Sequence, residues 1–160
     1  MKIAIASDFS GFQLKKQVKM SIEQAGYDVQ DVGQTDPQSP MLYYEAASRL
    51  AKAIQNGDCK KGIAICGTGA GVSLIVNRYK GIYCVACESV YTAERISWIN
   101  NANVLAMGEK IVSFTMGCEM AAVFLKSVWC QGFEEQRRIN NEKGYEMLVT
   151  LGKDGCIAER

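Results

Sequence analysis

Apolar and polar residues alternate along this chain in two rhythms that take turns. Residues Lys2–Ser7 form a short, isoleucine-rich run that stops at Asp8. Over Phe12–Gln24 the apolar positions fall at helical spacing, and Gly26 stands where a helix would end. Residues 27–32 read as a second strand closed by Gly33, and residues 34–40, with two prolines and Asp36, as a loop. Residues 42–54 are alanine-rich and helical, stopping before Gly57-Asp58. A third strand at 62–65 leads into a glycine-rich loop and a helix over 72–78. Beyond it come a strand at 82–86, a helix at 91–98, a strand at 103–107 and a long apolar helix at 114–129. A mostly polar helical stretch closes the pattern at 134–151.

Five strand-like runs separated by helices predict an α/β fold: a three-layer Rossmann-like sandwich with a five-stranded parallel sheet, order 2-1-3-4-5, flanked by helices. No repeat or linker interrupts the chain, so residues 1–160 read as one domain. Residues 134–160 form a tail that either packs on a neighbouring subunit or frays. Such folds bind ligands beyond the carboxyl ends of their strands, where the strand order reverses, here between strands 1 and 3. Asp8 ends strand 1 and Cys66 ends strand 3, so the pattern sets a carboxylate and a thiol across one crevice.

Composition narrows the chemistry. With 48% hydrophobic and 22% charged residues the chain is an ordinary globular protein, and a net charge of +1 gives no electrostatic reason to expect nucleic acid or an anionic membrane. No apolar run approaches the roughly 18 residues of a membrane span, and the opening Met-Lys-Ile-Ala-Ile-Ala is too short for a signal peptide, so the expected location is cytoplasmic. Seven scattered cysteines do not form a disulfide framework. Cys84 and Cys87, three apart in a strand, point to opposite faces. With no histidine in the chain to complete a zinc site, no metal or other cofactor is expected. The same absence removes Ser–His and Cys–His nucleophile pairs, leaving carboxylates, thiols, hydroxyls, lysine, arginine and backbone amides for any catalysis.

Within that set, Gly62-Ile-Ala-Ile-Cys66-Gly-Thr-Gly-Ala-Gly71 stands out. A buried-type strand ends in a cysteine, and glycines then alternate with small residues ahead of a helix. Amides of such a loop cradle negative charge, and a thiol at its mouth can exchange a proton with a substrate whose anion the amides hold. The plainer alternative is a buried cysteine beside a tight turn. A dinucleotide fingerprint does not fit: the third glycine falls one residue early, Val72 takes its place, and the loop follows the third strand rather than the first.

Taken together, Ile3-Ala-Ile-Ala-Ser-Asp8-Phe-Ser-Gly11, Asp31-Val-Gly33, Ile65-Cys-Gly-Thr-Gly-Ala-Gly71, Asn77, Gly81-Ile82, Tyr91-Thr-Ala93, Asn103-Val-Leu-Ala-Met-Gly108 and Lys110-Ile-Val112 resemble the type B ribose-5-phosphate isomerases. That family includes both subunits of galactose-6-phosphate isomerase. The resemblance implies a metal-independent aldose–ketose isomerase working through a cis-enediolate on a sugar or sugar phosphate. It makes Cys66 the base that moves the proton between carbons 1 and 2. It assigns Thr68 and the loop of Gly67, Gly69, Ala70 and Gly71 to the enediolate oxygens, and Asp8 and Tyr43 to sugar hydroxyls. Asn100, Lys110 and Arg137 complete the implied substrate contacts. Members of the family are dimers or dimers of dimers, each site drawing on two chains.

The departures from the family pattern are specific. Phe9 follows Asp8 where the family has histidine, and Ile99 replaces the histidine that opens a furanose ring. Phe133 and Glu134 replace an arginine and a histidine of the phosphate-binding tail, while Lys110 stands where many members carry arginine. Arg137 is retained, although Arg137-Arg138 also suits a solvated helix face. The leading expectation is an active isomerase whose substrate is not ribose 5-phosphate but a mostly open-chain sugar, such as a short ketose phosphate, or one whose ring opens fast enough unaided. The alternatives are the cysteine-bearing subunit of a heteromeric galactose-6-phosphate-type isomerase, paired with a histidine-bearing paralogue, and a non-catalytic sugar-phosphate binder.

Overall fold

A computed structural model describes residues 1–153; residues 154–160, with Cys156 and the end of the expected tail, lie outside the described residues. In chain order the elements are β1 (Lys2–Ser7), a 3-10 turn (Phe9–Gly11), α1 (Phe12–Gln24), β2 (Asp28–Asp31), α2 (Tyr43–Gln55) and β3 (Lys61–Cys66). There follow α3 (Ala70–Val76), β4 (Cys84–Ala86), α4 (Val90–Trp98), β5 (Val104–Gly108), α5 (Phe114–Lys126) and α6 (Glu135–Lys153). Every strand pair is parallel.

The sheet runs β2-β1-β3-β5-β4, which corrects the expected order 2-1-3-4-5 in its last two strands. Burial gives the reason. β5, Val-Leu-Ala-Met-Gly, is buried at every position, as a strand with neighbours on both sides must be. β4 is only three residues long and ends on exposed Ala86, the shape of a blunted edge. The Asn77 side chain covers that edge, accepting from Cys84 N–H at 2.7 Å and donating to Cys84 C=O at 2.8 Å.

The period of two along the strands sorts the core by size. Ile3, Ile5, Ile63, Ile65, Leu105 and Met107 pack with α1, α4 and α5. Ala4, Ala6, Ala64 and Ala106 face the alanines of α2 and the valines of α3, where small side chains on both partners allow close approach. Cys87 lies in the first layer and Cys84 in the second, the opposite faces expected of their spacing. Burial raises both thiols above the usual range, Cys87 to about 11.

Two lysines are tucked into this framework. Lys15 on α1 is 1% exposed and donates to Asp31 Oδ1 at 2.9 Å and to the Gln34 carbonyl, tying α1 to the end of β2. Lys61, at the start of β3, donates to Ser97 Oγ and to the carbonyls of Phe124 and Ser127. Ser127 is extended (ψ 131°), so α5 stops at Lys126 rather than running on to 129 as the apolar pattern suggested. No helix among the described residues is long and apolar enough to cross a membrane.

Candidate active site

The crevice is built where β1 and β3 end side by side. Ser7 pairs with Ile65, so Asp8 and Cys66 follow in adjacent register. Asp8 is 4% exposed, and its Oδ1 accepts from the amides of Ser10 (2.9 Å) and Gly11 (3.0 Å), capping the 3-10 turn. Ser10 Oγ donates to the same carboxylate at 2.8 Å. Asp8 therefore fixes the turn, and the turn seats against the cysteine: a Cβ on Gly11 would come within 2.9 Å of the Cys66 amide.

Cys66 is buried, and the Gly69 N–H donates to its Sγ at 3.1 Å. Gly69 reaches this position through a left-handed backbone (φ +80°) pressed against β5, where a Cβ would lie 2.9 Å from the Met107 carbonyl carbon. From the other side, a Cβ on Gly108 would meet the Thr68 backbone at 2.5 Å. The amides of Thr68 and Gly71 have no acceptor among the described residues, as the first N–H groups of a helix commonly do not.

The rim is aromatic and basic. The Tyr43 ring lies over Gly71, 3.0 Å from where a Cβ would stand, and meets Tyr44 edge-on with centroids 5.6 Å apart. Phe9 is 57% exposed, its amide bonded to the Met41 carbonyl beside Tyr43. Lys110 donates its amide to the Gly67 carbonyl at 3.0 Å and runs its side chain past Gly67. The carboxyl end of the sheet thus gathers Asp8, Tyr43, Cys66, Gly67, Thr68, Gly69, Ala70, Gly71 and Lys110.

Asn100 and Arg137 are not among them. Asn100 follows α4, which runs back toward the amino ends of the strands. Arg137 lies against Trp98, next to the Ser97 that Lys61 binds. Lys61 and Cys66 are opposite ends of β3, on the order of 16 Å apart along the strand. Within one chain these two residues therefore stand at the wrong end of the sheet to reach Cys66.

Sequence reasoning also missed Ser10, whose hydroxyl bonds the Asp8 carboxylate and lies beside Gly67, and Gly108, whose missing side chain makes room for Thr68. Both stand in stretches that carry the family resemblance, and Gly108 also closes a fully apolar strand. Among the described residues no three His, Cys, Asp or Glu side chains converge as metal ligands would.

A parallel sheet with a thiol and unpaired amides at its switch point lies where α/β folds bind small ligands. Comparison makes the class specific: residues 3–141 match the Ribose/Galactose Isomerase family, and the chain belongs to it. It is 44% identical over 138 residues to the 4-deoxy-4-sulfo-D-erythrose isomerase of Clostridium sp. (strain MSTE9), covering 86% of this chain and 87% of that protein. It is 31% identical to the D-erythrulose-4-phosphate isomerase of Pectobacterium atrosepticum, over 78% of this chain and 82% of that one. The fold superposes on ribose-5-phosphate isomerase B of Clostridium thermocellum with a TM-score of 0.86 and 30% identity, covering 96% and 99% of the two chains. The protein is an aldose–ketose isomerase.

Proposed function

We propose that this enzyme interconverts the aldose and ketose forms of a four-carbon sugar carrying a terminal anion on carbon 4, a sulfonate in preference to a phosphate. The observation that carries the reading is the intact Cys66 loop in a chain without a single histidine. An aldotetrose closes its furanose ring through the C4 hydroxyl. A sulfonate or phosphoryl group at that carbon removes the nucleophile, and in the ketose C4 is too near the C2 carbonyl for a five-membered ring. Such a substrate is open-chain throughout, so Phe9 and Ile99 can stand where relatives with cyclic substrates need a ring-opening base. The 44% identical relative named for 4-deoxy-4-sulfo-D-erythrose supports the same choice.

The Cys66 thiolate takes the proton from C2 of the aldose. The C–H electron pair moves into a C1–C2 double bond and the carbonyl oxygen becomes an enediolate oxygen. That charge meets the amides of Thr68 and Gly71 and the Thr68 hydroxyl; one preorganised donor of this kind supplies about 3–4 kcal/mol of transition-state stabilisation. A proton passes between the two oxygens, the thiol exchanges its proton with solvent while the enediolate is bound and then protonates C1, and the ketose leaves with no net redox change. Asp8 holds the turn that backs the loop, and Tyr43 and Lys110 line the substrate's path. Arg137 and Asn100 serve this chemistry only from a second copy, so the working enzyme is at least a homodimer. One negative charge on a sulfonate suits Lys110 and Arg137 with Glu134 close in sequence, where a phosphate's second charge would ask for a further cation.

Purified chain assayed against the sulfonated tetrose, D-erythrulose 4-phosphate and ribose 5-phosphate tests the reading. It predicts the highest kcat/KM on the sulfonated sugar, a lower value on the phosphate and none on ribose 5-phosphate. Preference for ribose 5-phosphate, or inertness toward both four-carbon acids, contradicts it.

A further inference from the structure

Arg137 and Arg138 are neighbours on α6 with different surroundings. Arg138 pairs with Glu142 at 2.7 Å, a solvated helix-face contact. Arg137 meets no carboxylate within ion-pair distance among the described residues and rests instead on aromatic rings. Its guanidinium carbon is 3.9 Å from the Phe133 centroid and 5.7 Å from that of Trp98. The two rings are 4.8 Å apart and tilted by 58°.

This seat is fastened at several points. Trp98 Nε1 donates to the Gln131 carbonyl at 2.8 Å, the Cys130 amide donates to the Trp98 carbonyl at 2.9 Å, and the Phe133 amide donates to the Cys130 carbonyl at 3.1 Å. Left-handed backbone at Cys130 (φ 56°) and Gly132 (φ 76°) turns the loop so that Phe133 comes back onto Trp98. A guanidinium held over a ring commits its flat face and keeps its N–H edge for an anion with three oxygens.

We infer that Phe133, backed by Trp98, is a positioning residue that holds Arg137 ready to anchor the substrate's terminal anion in the site of a second copy. The inference rests on the substrate class proposed above. It also gives Phe133 a purpose: the aromatic ring compensates for a missing cation by fixing the one that remains.

Calorimetric titration with methanesulfonate and with inorganic phosphate tests this on the full chain and on Phe133→Leu, Phe133→Tyr and Arg137→Gln. Leucine keeps the apolar bulk without the ring, and tyrosine restores the ring. The expected result is that Phe133→Leu weakens the tighter-bound anion by roughly 3- to 10-fold, the scale of one cation–π contact. Arg137→Gln weakens it at least as much, and Phe133→Tyr binds like the parent. KM for the anionic sugar rises in parallel with kcat nearly unchanged, while binding of the neutral polyol erythritol does not move. Unchanged anion binding in Phe133→Leu, an equal loss for erythritol, or no anion binding by the parent overturns the inference. Absence of turnover on both four-carbon acids overturns the proposed function instead, and the titration still decides the role of the rings.

Discussion

Gly69 and Gly26 adopt nearly the same left-handed backbone, φ +80° and +87°, in opposite surroundings. At Gly26 a Cβ would meet nothing within 4 Å. At Gly69 it would stand 2.9 Å from the Met107 carbonyl carbon and 3.2 Å from the Gly108 amide, both in β5 with neighbours on either side. Alanine at either position carries the left-handed strain of about 1–2 kcal/mol. At Gly69 the collision with immobile backbone adds about 1–3 kcal/mol, for a total of about 2–5 kcal/mol. The loop, not the sheet, gives way, and the N–H that Gly69 directs at Cys66 Sγ moves with it. Urea unfolding should therefore place Gly26→Ala within about 2 kcal/mol of the parent and Gly69→Ala distinctly lower. In kinetics, Gly26→Ala should keep kcat, while Gly69→Ala should lose about 100-fold or more, the usual effect of losing one preorganised donor. Equal stability losses in the two variants, or near-parental kcat in Gly69→Ala, would refute the claim that this contact shapes the loop.

Lys61 offers a test in pH. Burial among neutral acceptors lowers its ammonium from 10.5 to about 8, so above that pH the unfolded chain binds the proton that the folded chain has released, and stability rises with pH. Relative to Lys61→Met, the parent should gain about 1–3 kcal/mol between about pH 7 and pH 10, with the thiol titrations cancelling in the difference; a flat or falling difference contradicts this. Asp31→Asn strands the buried Lys15 ammonium and should cost about 3–5 kcal/mol in urea unfolding, with recovery when Lys15→Met is added. A loss under about 1 kcal/mol would show that the pair is not buried as described.

How far the sequence could be read depended on what each element had to satisfy locally. The parallel sandwich was legible because Ile3-Ala-Ile and Ile63-Ala-Ile alternate large and small residues between helices, and the crevice because Asp8 and Cys66 both close such strands. The places of β4 and β5 were not, since both are short apolar runs and only burial separates the edge strand from the inner one. Cys66 and its glycine loop sit in contiguous residues, so their arrangement was visible as a motif. Separation of Arg137 and Asn100 from that loop is a property of the folded chain, set by α4 running back along the sheet. The Trp98–Phe133 seat joins residues 35 positions apart, and no local spacing announces it.

Proton transfer at Cys66 is the central claim, and hydrogen exchange from substrate to solvent reads it directly. In deuterium oxide the parent enzyme should place one deuteron on C1 of the ketose during turnover of the sulfonated tetrose, and Cys66→Ala should place none while still binding methanesulfonate. Deuterium incorporation by Cys66→Ala at the parental rate would contradict the account.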